Sequence, residues 1–369
     1  MSHILFVTWD GGGNVPPATA LAHELVRRGH DVRFLGHTSQ RDALTEDGFD
    51  VLPTRHARRF DSAHDYTALT MVKVFGDRGM GQDLLDAVAA RPTDLVVIDE
   101  LMFGALDAAR RSGLRYAVLG HMYDAAYHAG ILGGPLGLSL RVRRLAPRPA
   151  LEAAALRLLL TLPDLDPVPA ARHRQVGPVV RWSPRQDGDA TVVIGLSTFG
   201  YPGMAEVLQR LVDATAGLDA RVLVATGPTV DPSAVTTRPG VEVRSWFPHA
   251  ETLPTASVLV SHGGHGSAMA GLAHDVPLLI VPLDPKADHR AVGRSIEAAG
   301  AGRMVPRRAS VADLHAALAG LLADGPHRAA AARLGAAIRA TDAVRDGANA
   351  LEELVRDGAA QPGRPAARP

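Results

Sequence analysis

The amino-acid sequence predicts an α/β protein with two Rossmann-like, doubly wound domains that face a cleft. Short apolar runs alternate with segments of helical periodicity, which is the pattern of parallel sheets covered by helices on both faces. The 369 residues also suggest two domains rather than one. The polar stretch 181–189, RWSPRQDGD, is typical of a linker. We therefore assign residues 1–180 to an N-terminal domain, 190–358 to a C-terminal domain, and the Ala-, Pro- and Arg-rich residues 359–369 to a disordered tail.

The composition excludes several classes of function. Lys and Arg together number 39 and so do Asp and Glu, so no overall field attracts nucleic acid or an anionic membrane. The absence of cysteine excludes disulfides, thiolate metal sites and a cysteine nucleophile. No run reaches the roughly 20 apolar residues that span a bilayer, and the start of the chain lacks a signal-peptide pattern. We expect a cytoplasmic protein without nucleic-acid or membrane partners, and the sequence leaves open whether it forms a homodimer.

The elements of the first domain follow from apolar runs and helical spacing. Residues 4–7 are typical of a central parallel strand. A glycine loop, residues 11–14, follows, and Pro16 and Pro17 suit the first turn of the next helix. Further strands are predicted at 31–35, 49–52, 94–99 and 116–119, and a further helix at 103–111.

The second domain repeats this pattern. Its predicted strands begin at residue 191 and continue at 221–225, 241–244, 256–260 and 278–281. Its predicted helices cover residues 265–273, 287–299, 310–323 and 326–358.

The segment around His262 has the features of an anion site. An apolar, β-rich run ends at Ser261, glycines follow at 263, 264 and 266, and a helix begins at residue 265. Such a turn presents free backbone N–H groups at the positive end of a helix dipole, where a phosphate commonly binds. Ser267 can add a hydroxyl and His262 an imidazole. Glycine-rich turns also occur for packing alone, and glycine spacing by itself does not separate the two interpretations.

Other polar and aromatic residues follow neighbouring strands. Trp246 and Phe247 come after the strand at 241–244, where a ring could stack on a base. Asp288 and His289 come after the strand at 278–281, where they could contact sugar hydroxyls. Base, diphosphate and sugar would then be bound in order along one edge of one sheet.

This combination resembles the nucleotide-sugar signature of the family 1, GT-B type glycosyltransferases of bacterial natural products. The matching elements are W-F-P-H at 246–249, S-H-G-G-H-G-S at 261–267, V-P at 276–277 and D-H at 288–289. Ser261 stands where the family has His, Ser267 where it has Thr, and His289 where it has Gln. All three replacements keep a polar group.

The resemblance implies a donor site for a nucleoside-diphosphate sugar, with dTDP or UDP as the nucleotide, and no further cofactor. It assigns the base to Trp246 and Phe247 and the sugar to Asp288 and His289. The diphosphate would lie at Ser197, Thr198, His262, Gly264, Gly266 and Ser267. A small natural-product acceptor would bind the first domain, where residues 54–82 and 122–145 are expected to shape its site.

The residue that should act as base is missing. The family uses a His in the first loop and an Asp at the end of the fourth strand, and these positions correspond to Asn14 and Asp99. An asparagine amide has no useful basicity. Another group could be the base, namely Asp10, Asp99, Glu100 or His121, and we favour Asp99 slightly over Asp10. Both carboxylates could equally cap the loop or helix that follows them.

Two further interpretations stay open. The acceptor could need little deprotonation, as an amine, acidic phenol or electron-rich ring carbon would, with Asn14 only positioning it. The protein could also be an inactive donor-binding homologue that serves as a partner protein. Sugar-nucleotide epimerisation fits the sequence less well. That reaction needs acid–base groups close to the sugar in both domains, whereas the first loop here consists mainly of small residues.

No metal site is expected. Asp-x-Asp triplets at 164–166 and 187–189 could hold a divalent cation in a metal-dependent transferase. Both lie away from the glycine turn, and Asp is common in loops. A helix N-terminus can stabilise a leaving diphosphate without a metal. Together with the family resemblance, which implies glycosyl transfer with inversion, this predicts a metal-independent reaction.

Overall fold

A computed structural model of the protein describes residues 1–169, 173–284, 287–323 and 325–359. The chain forms two compact units. The first contains Met1–Thr161, Val168–Val179 and the residues from Asp342 onward, and the second contains Leu162–Pro167 and Val180–Thr341. The predicted disordered tail lies outside the described residues, apart from Ala359, which ends the last helix. Among the described residues, no helix is long and apolar enough to cross a membrane.

The first unit is built on a seven-stranded parallel sheet. Its strands are β1 (His3–Val7), β2 (Asp31–Leu35), β3 (Asp50–Leu52), β4 (Leu95–Asp99), β5 (Tyr116–Gly120), β6 (Leu156–Leu159) and β7 (His173–Gln175). Their order in the sheet is β3-β2-β1-β4-β5-β6-β7. Every residue of β4 and β5 is buried, as expected of central strands covered on both faces. Sequence order reverses between β1 and β4, and such a switch point is where ligands bind in open α/β sheets.

Helices connect these strands. They are α1 (Val15–Arg27), α2 (Arg41–Glu46), α3 (Ala68–Phe75), α4 (Arg78–Ala90), α5 (Phe103–Arg111), α6 (Asp124–Ala126), α7 (Pro135–Val142) and α8 (Pro147–Glu152). A 3₁₀ turn covers Thr38–Gln40, and a π-helical turn, Tyr127–Leu132, follows α6. Helix α1 buries Ala18, Leu21, Ala22 and Leu25, as the helical spacing predicts, whereas Val26, which the same spacing assigns to this face, is exposed.

The second unit is built on a six-stranded parallel sheet. Its strands are β8 (Thr191–Gly195), β9 (Arg221–Ala225), β10 (Val241–Arg244), β11 (Val258–Ser261), β12 (Leu278–Ile280) and β13 (Gly302–Met304). Their order is β10-β9-β8-β11-β12-β13. This is the Rossmann order, with the switch point between β8 and β11. The predicted α/β class with two doubly wound sheets is therefore confirmed.

The helices of the second unit alternate with these strands. They are α9 (Met204–Ala214), α10 (His249–Thr252), α11 (His265–Ala273), α12 (His289–Ala298), α13 (Val311–Leu322) and α14 (Pro326–Arg339). Short 3₁₀ turns cover Pro232–Ala234 and Leu253–Thr255. The predicted bounds of α11 agree with the structure residue for residue.

The last helix corrects the predicted domain boundary. Residues 326–358 are predicted to form one helix, whose last part could pack back on the first domain, but the chain breaks after α14 and continues as α15 (Ala343–Ala359). Helix α15 belongs to the first unit. Its Leu351 and Leu354 lie in the core of that unit, and a Cβ at Gly347 would lie 2.6 Å from a methyl of Leu21.

Polar contacts also fix α15 on the first unit. Arg28 at the end of α1 donates to Asn349 at 2.7 Å and to Glu352 at 2.9 Å. The ring of His30 contacts the second oxygen of Glu352 at 2.9 Å. The Arg28 and His30 partners lower the pKa of Glu352, although its partial burial acts in the opposite direction.

We expect Leu351→Ala to destabilise the first unit, because Leu351 is fully buried against it. Leu→Ala at a buried site costs about 2–5 kcal/mol. Hydrogen exchange of amides in β1 and β6 measures the effect, and Leu138→Ala, at a leucine that is 57% exposed, is the matched control. Equal protection in the two variants would contradict the placement of α15.

Candidate active site

The candidate donor site lies at the carboxyl edge of the second sheet. Strands β8 and β11 are neighbours there, with Val260 paired to Ile194. The segments that follow them contain Ser197 and Thr198 on one side and residues 262–267 on the other. The topology therefore brings both predicted segments to the switch point. Thr198 is exposed, whereas the hydroxyl of Ser197 accepts the backbone N–H of Phe199 at 3.0 Å and so stabilises its own turn.

Two glycines make the turn after β11 possible. Gly263 has a φ of +91°, where a side chain would be strained, and a Cβ there would lie 2.7 Å from the carbonyl oxygen of His289. A Cβ at Gly264 would lie 2.6 Å from Nε2 of His262. The hydroxyl of Ser261, where the family has His, accepts the N–H of Gly263 at 3.2 Å. The sequence at this turn is therefore fixed by packing as well as by any ligand.

The N-terminus of α11 is open. Its N-cap, Gly264, has no side chain to satisfy the first-turn N–H groups. Gly266 is exposed, and a Cβ there would meet no protein atom within 4 Å. Ser267 is half-buried beside it. Uncapped N–H groups at the positive end of a helix dipole can bind an anion.

Two imidazoles pack beside this turn. The rings of His262 and His289 meet edge to face, with centroids 4.5 Å apart, and Tyr201 packs edge to face on His289 at 5.9 Å. Burial lowers the pKa of His262 well below its usual value, and the neighbouring His289 adds to this effect. Burial also lowers the pKa of His289 to about 4. Both rings are therefore neutral at physiological pH.

This packing changes what the two histidines can offer a ligand. A backbone hydrogen bond to Leu196 engages the ring of His262, and its buried Nδ1 has no protein partner. His289 is buried against His262 and Tyr201, and its Nδ1 also lacks a protein partner. The sequence did not single out Tyr201, although the aromatic residues in the glycine-containing segment after β8 were a signal.

The two aromatic residues after β10 lie in different environments, one exposed and one buried. Trp246 is 60% exposed, and its ring stacks on His249 with an interplanar angle of 17°. Phe247 is buried, and Arg244 lies over its ring at 5.1 Å. Trp246 can therefore present a face to a base. The prediction for Phe247 is corrected, because its ring belongs to the core.

Asp288 lies at the start of α12, where it is the N-cap. Its side chain is buried. Arg307 joins the loops on either side of this segment, since its guanidinium donates to the carbonyl groups of Leu283 and Pro202. The loops after β8 and β12 are thus tied together at the same sheet edge.

Asn14 and Asp99 meet at the switch point of the first sheet. Val7 pairs with Ile98, so the residues after β1 lie level with Asp99. The amide nitrogen of Asn14 donates to Oδ2 of Asp99 at 2.9 Å, and also to the Thr8 hydroxyl and the Trp9 carbonyl, both at 3.1 Å. The side chain of Asn14 is buried, and its Oδ1 has no protein partner.

Asp10 does not contact this pair and has other hydrogen-bond partners. One of its oxygens accepts from the hydroxyl of Ser39 at 2.8 Å and from the N–H of Ser62 at 3.1 Å. Its other oxygen accepts from the hydroxyl of Ser62 at 3.2 Å. Asp10 therefore fastens the segment around Ser62 to the first loop.

Two ionisable groups adjoin Asp99. Nδ1 of His121 lies 3.7 Å from Oδ2 of Asp99 and 3.5 Å from Oε1 of Glu100. The same Glu100 oxygen accepts the backbone N–H groups of His121 and Met122, each at 2.7 Å. Burial raises the pKa of Glu100 to about 7, although His121 and the two N–H donors act in the opposite direction.

One group of the described residues has metal-ligand spacing. His56, Asp83 and Asp86 bring ligand atoms within 4.8 Å of one another. However, both oxygens of Asp83 already accept backbone N–H groups of residues 55–57. This group lies in the first unit and includes no residue of either candidate site.

Proteins of the GT-B class have two doubly wound parallel sheets in separate units, as this chain does. The segment from Trp246 to His289 resembles the signature of the nucleotide-sugar-dependent members of that class. Comparison with known proteins agrees. Residues 209–354 match the family described as erythromycin biosynthesis protein CIII-like, C-terminal domain. The 4'-demethylrebeccamycin synthase of Lentzea aerocolonigenes is 27% identical, with 96% of this chain and 100% of that protein covered.

Solved structures share the fold. The glycosyltransferase of kitacinnamycin superposes with a TM-score of 0.78 at 23% identity, covering 96% of this chain and 98% of that one. Glycosyltransferase VinC, solved in complex with dTDP, superposes with a TM-score of 0.71 at 20% identity, covering 97% and 100%. The chain is therefore similar over nearly its whole length to glycosyltransferases of bacterial natural-product pathways, and its fold is that of the GT-B class.

We expect the substitution His289→Asn to reduce the loss of unfolding free energy that occurs as the pH falls below neutrality. The folded protein keeps His289 neutral because burial lowers its pKa from 6.5 to about 4. Between these values the unfolded chain binds more protons, so the free energy of unfolding falls as pH falls. In the variant, the free energy of unfolding should depend less steeply on pH in this range, by up to about 1.4 kcal/mol per pH unit.

Urea unfolding at several pH values measures it, with His64→Asn as the control because that side chain is 80% exposed. Identical slopes in the wild type and in His289→Asn would show that His289 is not held neutral.

Proposed function

We propose that the protein transfers a sugar from a dTDP- or UDP-sugar to a small natural-product acceptor, with inversion and without a metal. The open N-terminus of α11 at the switch point of the second sheet carries this proposal. The N-cap residue Gly264 has no side chain to cap the helix, and a Cβ at Gly266 would meet no protein atom within 4 Å. A diphosphate therefore has room to bind there. Backbone N–H groups and the hydroxyl of Ser267 would bind it, with Thr198 opposite.

The same N–H groups would assist the chemistry. Negative charge grows on the diphosphate as the bond to the anomeric carbon breaks, and fixed donors aimed at it lower the barrier. Because His262 and His289 are neutral, the positive potential at the turn would come from the helix N-terminus rather than from the imidazoles. The imidazoles would shape the site rather than charge it.

The choice of donor and acceptor is supported by the relatives. The exposed ring of Trp246 suits base stacking, and the complex of VinC with dTDP favours dTDP as the nucleotide. The full-length match to 4'-demethylrebeccamycin synthase favours a natural product as the acceptor. Asp288 would contact the sugar from the start of α12.

One observation favours a second candidate. Residues 8–15 include no histidine, and Asn14 and Asp10 are both engaged in structural hydrogen bonds. A donor-binding homologue without activity, serving as a partner protein, would have the same features. Turnover of a nucleotide sugar separates the two candidates.

We expect Gly266→Ala and Gly266→Asp to weaken nucleoside-diphosphate binding without unfolding the protein. A Cβ at Gly266 meets no protein atom, and Ala in place of Gly stabilises a helix by about 0.5–1 kcal/mol. The methyl group would occupy the anion position, and the carboxylate would also repel it. Calorimetry with dTDP and UDP should give at least about a tenfold rise in Kd for Ala, equal to ~1.4 kcal/mol, and a larger rise for Asp.

The matched control is Gly320→Ala, at another exposed helical glycine where a Cβ would make only an ordinary contact, 3.8 Å from Arg303. Trp246→Ala should weaken binding of the same nucleotides by about 1–3 kcal/mol, the value of base–aromatic stacking, while Trp182→Ala at the other exposed tryptophan should not. Unchanged affinity in both Gly266 variants would place the diphosphate elsewhere.

The proposed reaction predicts a stereochemical outcome. A single displacement at the anomeric carbon inverts it, so an α-linked donor should give a β-linked product. Proton NMR of the product from dTDP-glucose or UDP-glucose measures the anomeric configuration. Turnover should persist in EDTA because the α11 N-terminus stabilises the leaving group; a retained configuration would refute inversion, and loss of turnover that Mg²⁺ restores would refute metal independence.

A further inference from the structure

We propose that His121 is the general base of the transfer, with Asp99 as its positioning partner, in place of a histidine at position 14. The inference rests on the proposed function and concerns the first unit alone. It identifies which side chain can accept the proton of the acceptor hydroxyl.

Asp99 is poorly suited to be the base itself. Its Oδ1 accepts the indole N–H of Trp9 at 3.2 Å and the backbone N–H of Leu101 at 2.9 Å. Its Oδ2 accepts the amide of Asn14 at 2.9 Å. These three donors occupy lone pairs of the carboxylate that would otherwise be open to an acceptor hydroxyl. It is also buried, so an acceptor has no path to it without displacing these donors.

Asn14 holds the first loop in place. Its amide nitrogen joins Thr8 and the Trp9 carbonyl to Asp99. A Cβ at Gly11 would lie 2.6 Å from Oδ1 of Asn14 and 2.5 Å from the ring of Trp9, so the loop closes directly over the amide. Only 3% of Asn14 is exposed. The position that supplies the base in the family is therefore enclosed here.

His121 lies on the other side of the same carboxylate. Asp99 pairs with Leu119 in the sheet, which places His121 just beyond the end of β5, at the edge that holds the first loop. Its Nδ1 faces Oδ2 of Asp99 at 3.7 Å and Oε1 of Glu100 at 3.5 Å, and its side chain keeps 18% exposure. His121 thus combines a carboxylate close to Nδ1 with partial exposure of its side chain, and a general base needs both an orienting group and contact with the acceptor.

The carboxylates set the tautomer of His121. A proton on Nδ1 is attracted by both of them, so Nε2 becomes the acceptor nitrogen. In the reaction, Nε2 takes the proton of the acceptor hydroxyl as the oxygen bonds to the anomeric carbon. The bond from that carbon to the diphosphate breaks, and the diphosphate leaves with the electron pair. The imidazolium later returns its proton to solvent.

Several ionisable groups surround this ring. Asp99 at the end of β4 and Glu100 just after it lie beside the ring, and Tyr127 in the π-helical turn donates to the carbonyl of Glu100 at 2.7 Å. Beyond Tyr127, Arg157 of β6 donates to Asp124 at 2.7 Å. Burial raises the pKa of Tyr127 well above its usual value, so its hydroxyl stays a neutral donor. Tyr127 therefore adds no charge beside the two carboxyl groups.

The first experiment measures His121→Ala with dTDP-glucose or UDP-glucose as the donor and a simple phenol or water as the acceptor. We expect kcat to fall about 10²–10⁴-fold, the usual contribution of a general base, while the Kd for dTDP or UDP stays within about twofold. Free imidazole should restore part of kcat, which a merely structural role would not allow. His23→Ala is the matched control, since its half-exposed ring lies on α1 and contacts Asp47, outside the segments expected to shape the acceptor site.

The positioning role of Asp99 has its own readout. Asp99→Asn should lower kcat by about 10–100-fold, as loss of an orienting partner does, and imidazole should not restore it. Asn14→Ala should lower kcat less than His121→Ala, also without rescue. Nitrogen-15 NMR of the imidazoles should show His121 with its proton on Nδ1 in the wild type, and a shift toward the Nε2–H tautomer in Asp99→Asn.

The outcomes separate this inference from the proposed function. Wild-type kcat in His121→Ala, or an Nε2–H tautomer of His121 in the wild-type protein, overturns the assignment of the base even if nucleotide binds normally. Failure of the wild type to bind dTDP or UDP overturns the proposed donor site. The NMR measurement needs no substrate, so it decides on the His121–Asp99 pair in that case too.

Discussion

The first unit depends on the carboxylate of Asp99, which is buried at the centre of a parallel sheet. A buried charge is tolerated only when hydrogen bonds replace the water it has lost. Trp9 and Asn14 provide those bonds from the first loop, so the loop conformation and the charge stabilise each other. The aromatic packing of Trp9 on Phe60 and Phe75 extends this dependence to residues that are distant in sequence.

The two sheets use the same topological position with opposite electrostatics. At the switch point of the first sheet, the carboxyl groups of Asp99 and Glu100 lie 3.7 Å and 3.5 Å from a single imidazole. At the switch point of the second, neutral histidines adjoin a helix N-terminus without an acidic residue in its first turn. One edge therefore suits the acceptance of a proton and the other the binding of an anion.

The sequence predicted most of the fold, because continuous apolar runs and amphipathic helices are local signals. It missed β6, whose residues 156–159 follow an Ala- and Leu-rich stretch of high helix propensity. Pairing with β5 and β7 overrides that propensity. Of the predicted donor residues, the placement of Phe247 was wrong, since adjacent aromatic residues point to opposite sides and only burial decides which one is exposed. The partners of Asp10 and Asp99 depend on contacts between distant residues, such as Ser62 and Asp10, and no local pattern encodes them.

The return of α15 to the first unit has a consequence for biosynthesis. The core around Leu21 and Leu158 is closed by residues that the ribosome adds after the whole second unit. Domains generally fold as units during synthesis, with the N-terminal one first at roughly 5–20 residues per second. In this chain the second unit is complete once Thr341 has emerged, whereas the first still exposes the apolar surface that α15 covers. The first unit is therefore completed last, and its apolar surface stays accessible to chaperones until α15 has packed on it.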